Sequence, residues 1–136
     1  MEQMTLDATK TNLTEALAFI DGQLEKIGCS MKNQMQIDLA AEEIFVNIAN
    51  YAYAPNSGPV TIELDTANGG SEVVITFSDS GTPFNPIAKE DPDTAASSED
   101  REVGGLGILL IKNYTDAIHY EYKDGRNKLT ITKKIA

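Results

Sequence analysis

The order of apolar patterns along the chain predicts an α+β fold, a two-layer sandwich in which helices cover one face of a mixed, mostly antiparallel sheet. Three observations carry this. Two long stretches with apolar residues at helical spacing come first. Two pairs of alternating segments follow, each pair joined by a short polar turn. A glycine-led apolar stretch, "EVGGLGILLIKNY", separates the two pairs.

The elements follow in order. Leu13, Leu17, Ile20, Leu24 and Ile27 recur at helical spacing after a cap at Thr11 or Asn12, which predicts an amphipathic helix over 12–28. A second helix is expected over 31–52. "PVTIELD" and "EVVITFS", joined by "TANGGS", alternate Val60, Ile62, Leu64 and then Val73, Ile75, Phe77, the pattern of a hairpin with one core face. "DAIHYEY" and "NKLTITKK", joined by "KDGR", form a second hairpin, with His119 facing solvent. Between the hairpins, residues 85–103 are rich in Asp, Glu, Ser and Pro and are expected to be a mobile loop. Loops of that length inside compact domains are usually lids, binding loops or disordered inserts.

Composition narrows the class. With 136 residues, 41% hydrophobic and 24% charged, residues 1–136 are expected to form a single domain around one core. A formal net charge of -10 argues against nucleic-acid binding, which demands positive surface, but leaves local nucleotide binding open. The single cysteine, Cys29, forms no internal disulfide and reads as a small buried or half-buried side chain in a reducing compartment. The N-terminus "MEQMTLDATK" lacks a basic region followed by an apolar one, and no apolar run nears the roughly 18 residues that span a bilayer. A cytoplasmic protein without membrane contact is the expectation.

Three stretches carry candidate chemistry. On the second helix Ile37, Ala41, Ile44, Ile48 and Tyr51 form one apolar face and Met35, Leu39 and Val46 another, while Asp38 and Glu42 supply a solvent side. Between the apolar faces runs a narrow polar strip of Gln36, Glu43, Asn47 and Asn50. Burying such groups costs free energy unless something pairs with them. Glu43 and Asn47 lie one turn apart, an arrangement suited to a carboxylate that accepts a proton beside an amide oxygen that ligates a hard cation such as Mg²⁺. A helix-to-loop hydrogen-bond network or a wider solvated face accounts for the strip as well.

"SDSGTPF" follows the strand that ends at Phe77. Asp79 there could accept from an exocyclic amine such as that of adenine, with Gly81 allowing close approach; an Asx turn before Pro83 is the plainer alternative. Gly104, Gly105 and Gly107 stand before Ile108 to Ile111, so the first N–H groups of a buried helix could face phosphate. A tight loop explains the glycines equally, and neither common phosphate fingerprint is present.

In this order, "EEIFVN", "DSG" and "GGLG" resemble the N box, D-x-G and G-x-G boxes of the GHKL ATPases and kinases, with their Bergerat or histidine-kinase-like ATPase fold. Within that superfamily the chain most resembles the small bacterial serine kinases of the RsbW type that act as anti-sigma factors. The resemblance implies ATP and Mg²⁺ as cofactors, with Glu43 as general base and Asn47 as Mg²⁺ ligand. Asn47, Asn50, Asp79, Gly81, Pro83, Phe84, Arg101, Gly104, Gly105, Leu106, Gly107 and Thr130 would line the nucleotide, and 85–103 would be the ATP lid, with Lys89 a further phosphate partner. It implies a STAS-domain anti-anti-sigma protein as substrate, a sigma factor as alternative partner, and a homodimer. Two departures stand out: Tyr51 replaces a histidine frequent in the family, and Asn127 and Lys128 replace small hydroxyl residues, leaving Asn127 or Thr130 to supply any secondary adenine contact. A nucleotide-dependent protein-binding module without phosphotransfer is the alternative function.

Overall fold

A computed structural model describes residues 1–85 and 105–135, the side chains of 105–109 excepted. The elements run β1 (Glu2–Asp7), α1 (Leu13–Lys26), α2 (Met31–Asn47), β2 (Pro59–Ala67), β3 (Glu72–Asp79), α3 (Gly105–Tyr114), β4 (Ala117–Lys123) and β5 (Arg126–Lys134). The five strands form one sheet in the order β1-β2-β3-β5-β4. Every described ladder is antiparallel, which corrects the expectation of a mixed sheet.

Period-two alternation decides which face is covered. Val60, Ile62, Leu64, Val73, Ile75, Phe77, Leu129 and Ile131 point to one side of the sheet and are buried. The helices supply the other half of the core through Ala16, Ile20 and Leu24 of α1, Ile37, Ala40, Ala41, Ile44 and Phe45 of α2, and Ile111 of α3. Each large side chain buried this way contributes about 1.5–3 kcal/mol. α2 packs against both α1 and α3, so it lies centrally over the sheet.

Both hairpins form where alternation predicts them. β1 was not expected. Its six residues alternate only weakly and lie at the sheet edge, where Met4 and Leu6 are no more than half-buried. Asn12 ties its end to α1 by donating from Nδ2 to the Asp7 carbonyl at 2.9 Å, rather than capping the helix through its side chain. Ser30 caps α2, accepting from the Asn33 N–H at 3.2 Å.

The second helix departs from expectation in three places. Beyond Asn47 it widens into a π-type turn over Ile48–Ala52. Such widened turns re-aim side chains and recur at functional sites. Met35 and Leu39, expected on an apolar face, are exposed along with Met31, because the buried residues of α2 turn toward the sheet and the flanking helices. Tyr51 likewise stays at the surface, its ring 5.9 Å from that of Phe84. Asp38 is no solvent-side residue: it is half-buried and faces Asp21 of α1, with one oxygen of each carboxyl buried without a hydrogen-bond partner among the described residues. His119 is exposed as expected, 3.7 Å from Glu121. No described helix is long and apolar enough to cross a membrane.

Candidate nucleotide site

A pocket opens where α2 and its π-type turn pass over the ends of β3 and β5. Ile44, Ile48, Ala52, Phe77, Ile111 and Leu129 give it apolar walls, Phe84 and Tyr120 add aromatic ones, and Asn47, Asp79 and Asn127 are its polar groups. A largely apolar cleft with a few convergent polar groups is the usual form of a small-molecule site.

Strand phase puts the aspartate there. Asp79 continues the buried series Val73, Ile75, Phe77, so the pleat delivers a carboxylate to the core face, where it is only 4% exposed. Its Oδ1 accepts from the Gly81 N–H and from Asn127 Nδ2, each at 2.9 Å. The first of these bonds is an Asx turn, the plainer of the two expectations for this stretch. With Oδ1 so engaged, Oδ2 is the carboxylate oxygen without a protein hydrogen bond among the described residues.

The turn after Asp79 is held from three sides. Thr82 N–H donates to the Ala52 carbonyl at 2.8 Å, and Ser80 N–H donates to the Tyr53 hydroxyl at 2.8 Å. Tyr53 in turn donates to the Pro59 carbonyl at 2.6 Å. Asn127 supplies the third side, bonding the Thr82 carbonyl at 3.0 Å and accepting from the Phe84 N–H at 3.1 Å. Gly81 serves this docking: a Cβ there would sit 2.1 Å from the Ala52 carbonyl oxygen.

The predicted residues divide accordingly. Asn47, Asp79 and Phe84 line the pocket. Glu43 is half-buried one turn before Asn47 but outside the pocket lining, and burial, with Glu42 adding to it, pushes its carboxyl above the ordinary range. Asn50 and Pro83 are exposed and do not line it. Thr130 is corrected outright: it falls out of phase with Leu129 and Ile131, and on the other sheet face its hydroxyl bonds that of Thr76 at 3.1 Å. Gly105, Leu106 and Gly107 open α3, while Lys89, Arg101, Gly104 and nearly all of the lid lie outside the described residues.

The sequence reading passed over Tyr53 and Tyr120 and named Asn127 only for a secondary adenine contact. A signal for Asn127 existed, since it shares the phase of Leu129 and Ile131 and is therefore a polar residue in a core position. The tyrosines gave none, because their hydroxyl partners are set by turns and strand pairing that periodicity does not show.

The donor chemistry fits a nucleotide with Mg²⁺. Among the described residues no group of three or more His, Cys, Asp or Glu side chains could cage a metal. Mg²⁺ commonly takes one or two protein oxygens, keeping water and substrate phosphates as its other ligands, and the Asn47 amide oxygen suits that part.

A helix-covered antiparallel sheet with this pocket defines a kinase-like ATPase domain, α+β in class. The chain belongs to the histidine kinase-like ATPase domain family, whose pattern matches residues 6–133. It is 29% identical over 135 residues to the serine/threonine-protein kinase BtrW of Bordetella bronchiseptica, covering 99% of this chain and 94% of that protein. Its fold is similar to that of the RsbU and RsbW domains of Rv1364c from Mycobacterium tuberculosis, with a TM-score of 0.65 at 16% identity; 99% of this chain is covered, but it spans only 33% of that longer one. The SiaB-SiaC complex from Pseudomonas aeruginosa contains a similar fold, with a TM-score of 0.59 at 18% identity over 96% of this chain and 88% of that one. The protein is thus a kinase-like ATPase domain, similar over nearly its whole length to a protein named a serine/threonine kinase.

Proposed function

We propose that the chain is an ATP- and Mg²⁺-dependent serine-protein kinase acting as an anti-sigma factor, which phosphorylates a STAS-domain anti-anti-sigma protein and sequesters a sigma factor. The observation that carries this is the pairing of Glu43 and Asn47 one turn apart on α2, with Asn47 and Asp79 in one pocket. Similarity along nearly the whole chain to a protein named a serine/threonine kinase supports it. One domain over 1–136, with 85–103 as the nucleotide's lid, a homodimeric state and a cytoplasmic location belong to the same proposal.

In this reading Asn47 would hold Mg²⁺, which would offset the charge of the phosphoryl group that ATP supplies. Asp79 orients the base through Oδ2. Glu43 takes the proton of the substrate serine as its oxygen bonds the γ-phosphorus and ADP departs. A general base must be ionised, so its raised pKa sets the acid limb of the rate above the range of an ordinary glutamate.

The test is transfer to the STAS protein encoded nearby, followed as phosphoserine by mass. Glu43→Ala should keep ATP binding and lose transfer by about 10²–10⁴-fold. Intact transfer in that variant would remove Glu43 as base. Glu43 standing outside the pocket wall favours one second reading, a nucleotide-dependent binding module without phosphotransfer. Wild-type protein that binds ATP but transfers nothing would select it.

A further inference from the structure

Asn127 is 5% exposed and faces the ligand pocket, so its amide would be the natural candidate for a direct contact to the base. Its bonding capacity says otherwise. An asparagine side chain offers two N–H donors and one oxygen with two lone pairs. Nδ2 donates to Asp79 Oδ1 at 2.9 Å and to the Thr82 carbonyl at 3.0 Å, with the Gly81 carbonyl at 3.5 Å beside them. Oδ1 accepts from the Phe84 N–H at 3.1 Å and from the Tyr120 hydroxyl. Nothing is left over for a ligand. The orientation is also determined, because a flipped amide would set its NH₂ against the Phe84 N–H and its oxygen against the Asp79 carboxylate.

We propose that Asn127 is a positioning residue for base recognition: it holds Asp79 Oδ1 inside the protein, so that Oδ2 alone meets the exocyclic amine of the base. β3 and β5 pair Asp79 directly with Asn127, so the bond is built into the register of the sheet. Without it, Asp79 Oδ1 keeps only the Gly81 N–H, and the carboxylate is free to rotate. Burial raises the Tyr120 phenol, which keeps it protonated as the donor that the arrangement needs. The inference rests on the adenine-nucleotide reading above.

Equilibrium binding of ATP and of purine riboside 5′-triphosphate, which lacks the 6-amino group, separates the two. Wild-type protein should prefer ATP by about tenfold or more, the weight of one hydrogen bond to a charged group. Asn127→Ala should lose most of that preference, the two triphosphates binding within about threefold of each other, chiefly because ATP binding weakens. Asn127→Asp keeps the shape and the acceptor for Phe84 but sets a second carboxyl against Asp79; it should lose the preference too, and it replaces the alanine variant if that fails to fold. A preserved ATP preference in the folded variant overturns the positioning role, as does a parallel loss for both triphosphates, which marks a merely structural part. Wild-type protein that binds neither nucleotide overturns the adenine reading and this inference with it.

Discussion

At the scale of single residues, the site depends on contacts too close for ordinary side chains. Gly81 has no Cβ because the turn that carries it lies against the Ala52 carbonyl, and Thr82 bonds the same oxygen. Gly81→Ala should therefore cost about 1–3 kcal/mol and push the turn, with Asp79, off the pocket. Gly22→Ala in α1 is the control, since a Cβ there meets nothing within 4 Å. That change should stabilise by about 0.5–1 kcal/mol. Thermal midpoints and ATP affinity check both, and a Gly81→Ala protein as stable as wild type would refute the steric account. At this scale Asp79 was legible in the sequence, as an acid at a strand end. The partner of Gly81 was not, because Ala52 lies 29 residues away by numbering and only the fold sets its carbonyl there.

At the scale of elements, the contact between α1 and α2 holds an acidic pair. Asp38 is pushed up to about 8 by burial first, and then by hydrogen bonding and charge from Asp21. The Cys29 thiol nearby is raised by its own burial and by Asp38, against the opposing pull of Lys133. The folded protein thus keeps a proton on Asp38 that the unfolded chain releases near the ordinary value of 3.8. Between those values the folded state binds more protons, so this contribution to stability is complete below about 4 and is lost as pH rises through about 8. Asp38→Asn should flatten the dependence and raise stability at the alkaline end, read as urea midpoints between pH 5 and pH 8.5. An unchanged slope would show that the pair does not carry the proton. Helical spacing located α2 well, yet it assigned Asp38 to solvent and Met35 to an apolar contact, because periodicity shows which residues share a face but not what that face meets.

At the scale of the whole molecule, the pocket is assembled from parts distant in the chain: α2, the end of β3, the start of β5 and Ile111 of α3. A ligand that binds only this assembled state should stabilise it, by about 2.7 kcal/mol at a hundredfold excess over its dissociation constant. ATP with Mg²⁺ should raise the thermal midpoint, and EDTA should remove part of the gain. No shift at millimolar ATP would contradict a nucleotide pocket.

By itself the sequence determined a sheet covered on one face by helices, both hairpins, the long helices and the place of Asp79 at a strand end, all of which follow from periods of two and of about 3.6 residues within short windows. Only the tertiary structure decided that β1 closes the edge, that Thr130 faces away, that Asp38 meets Asp21, and that Asn127 locks the turn after Asp79. Those outcomes rest on which strands and helices become neighbours. Pairing across 48 residues, as between Asp79 and Asn127, is set by the packing of the entire core rather than by any local pattern.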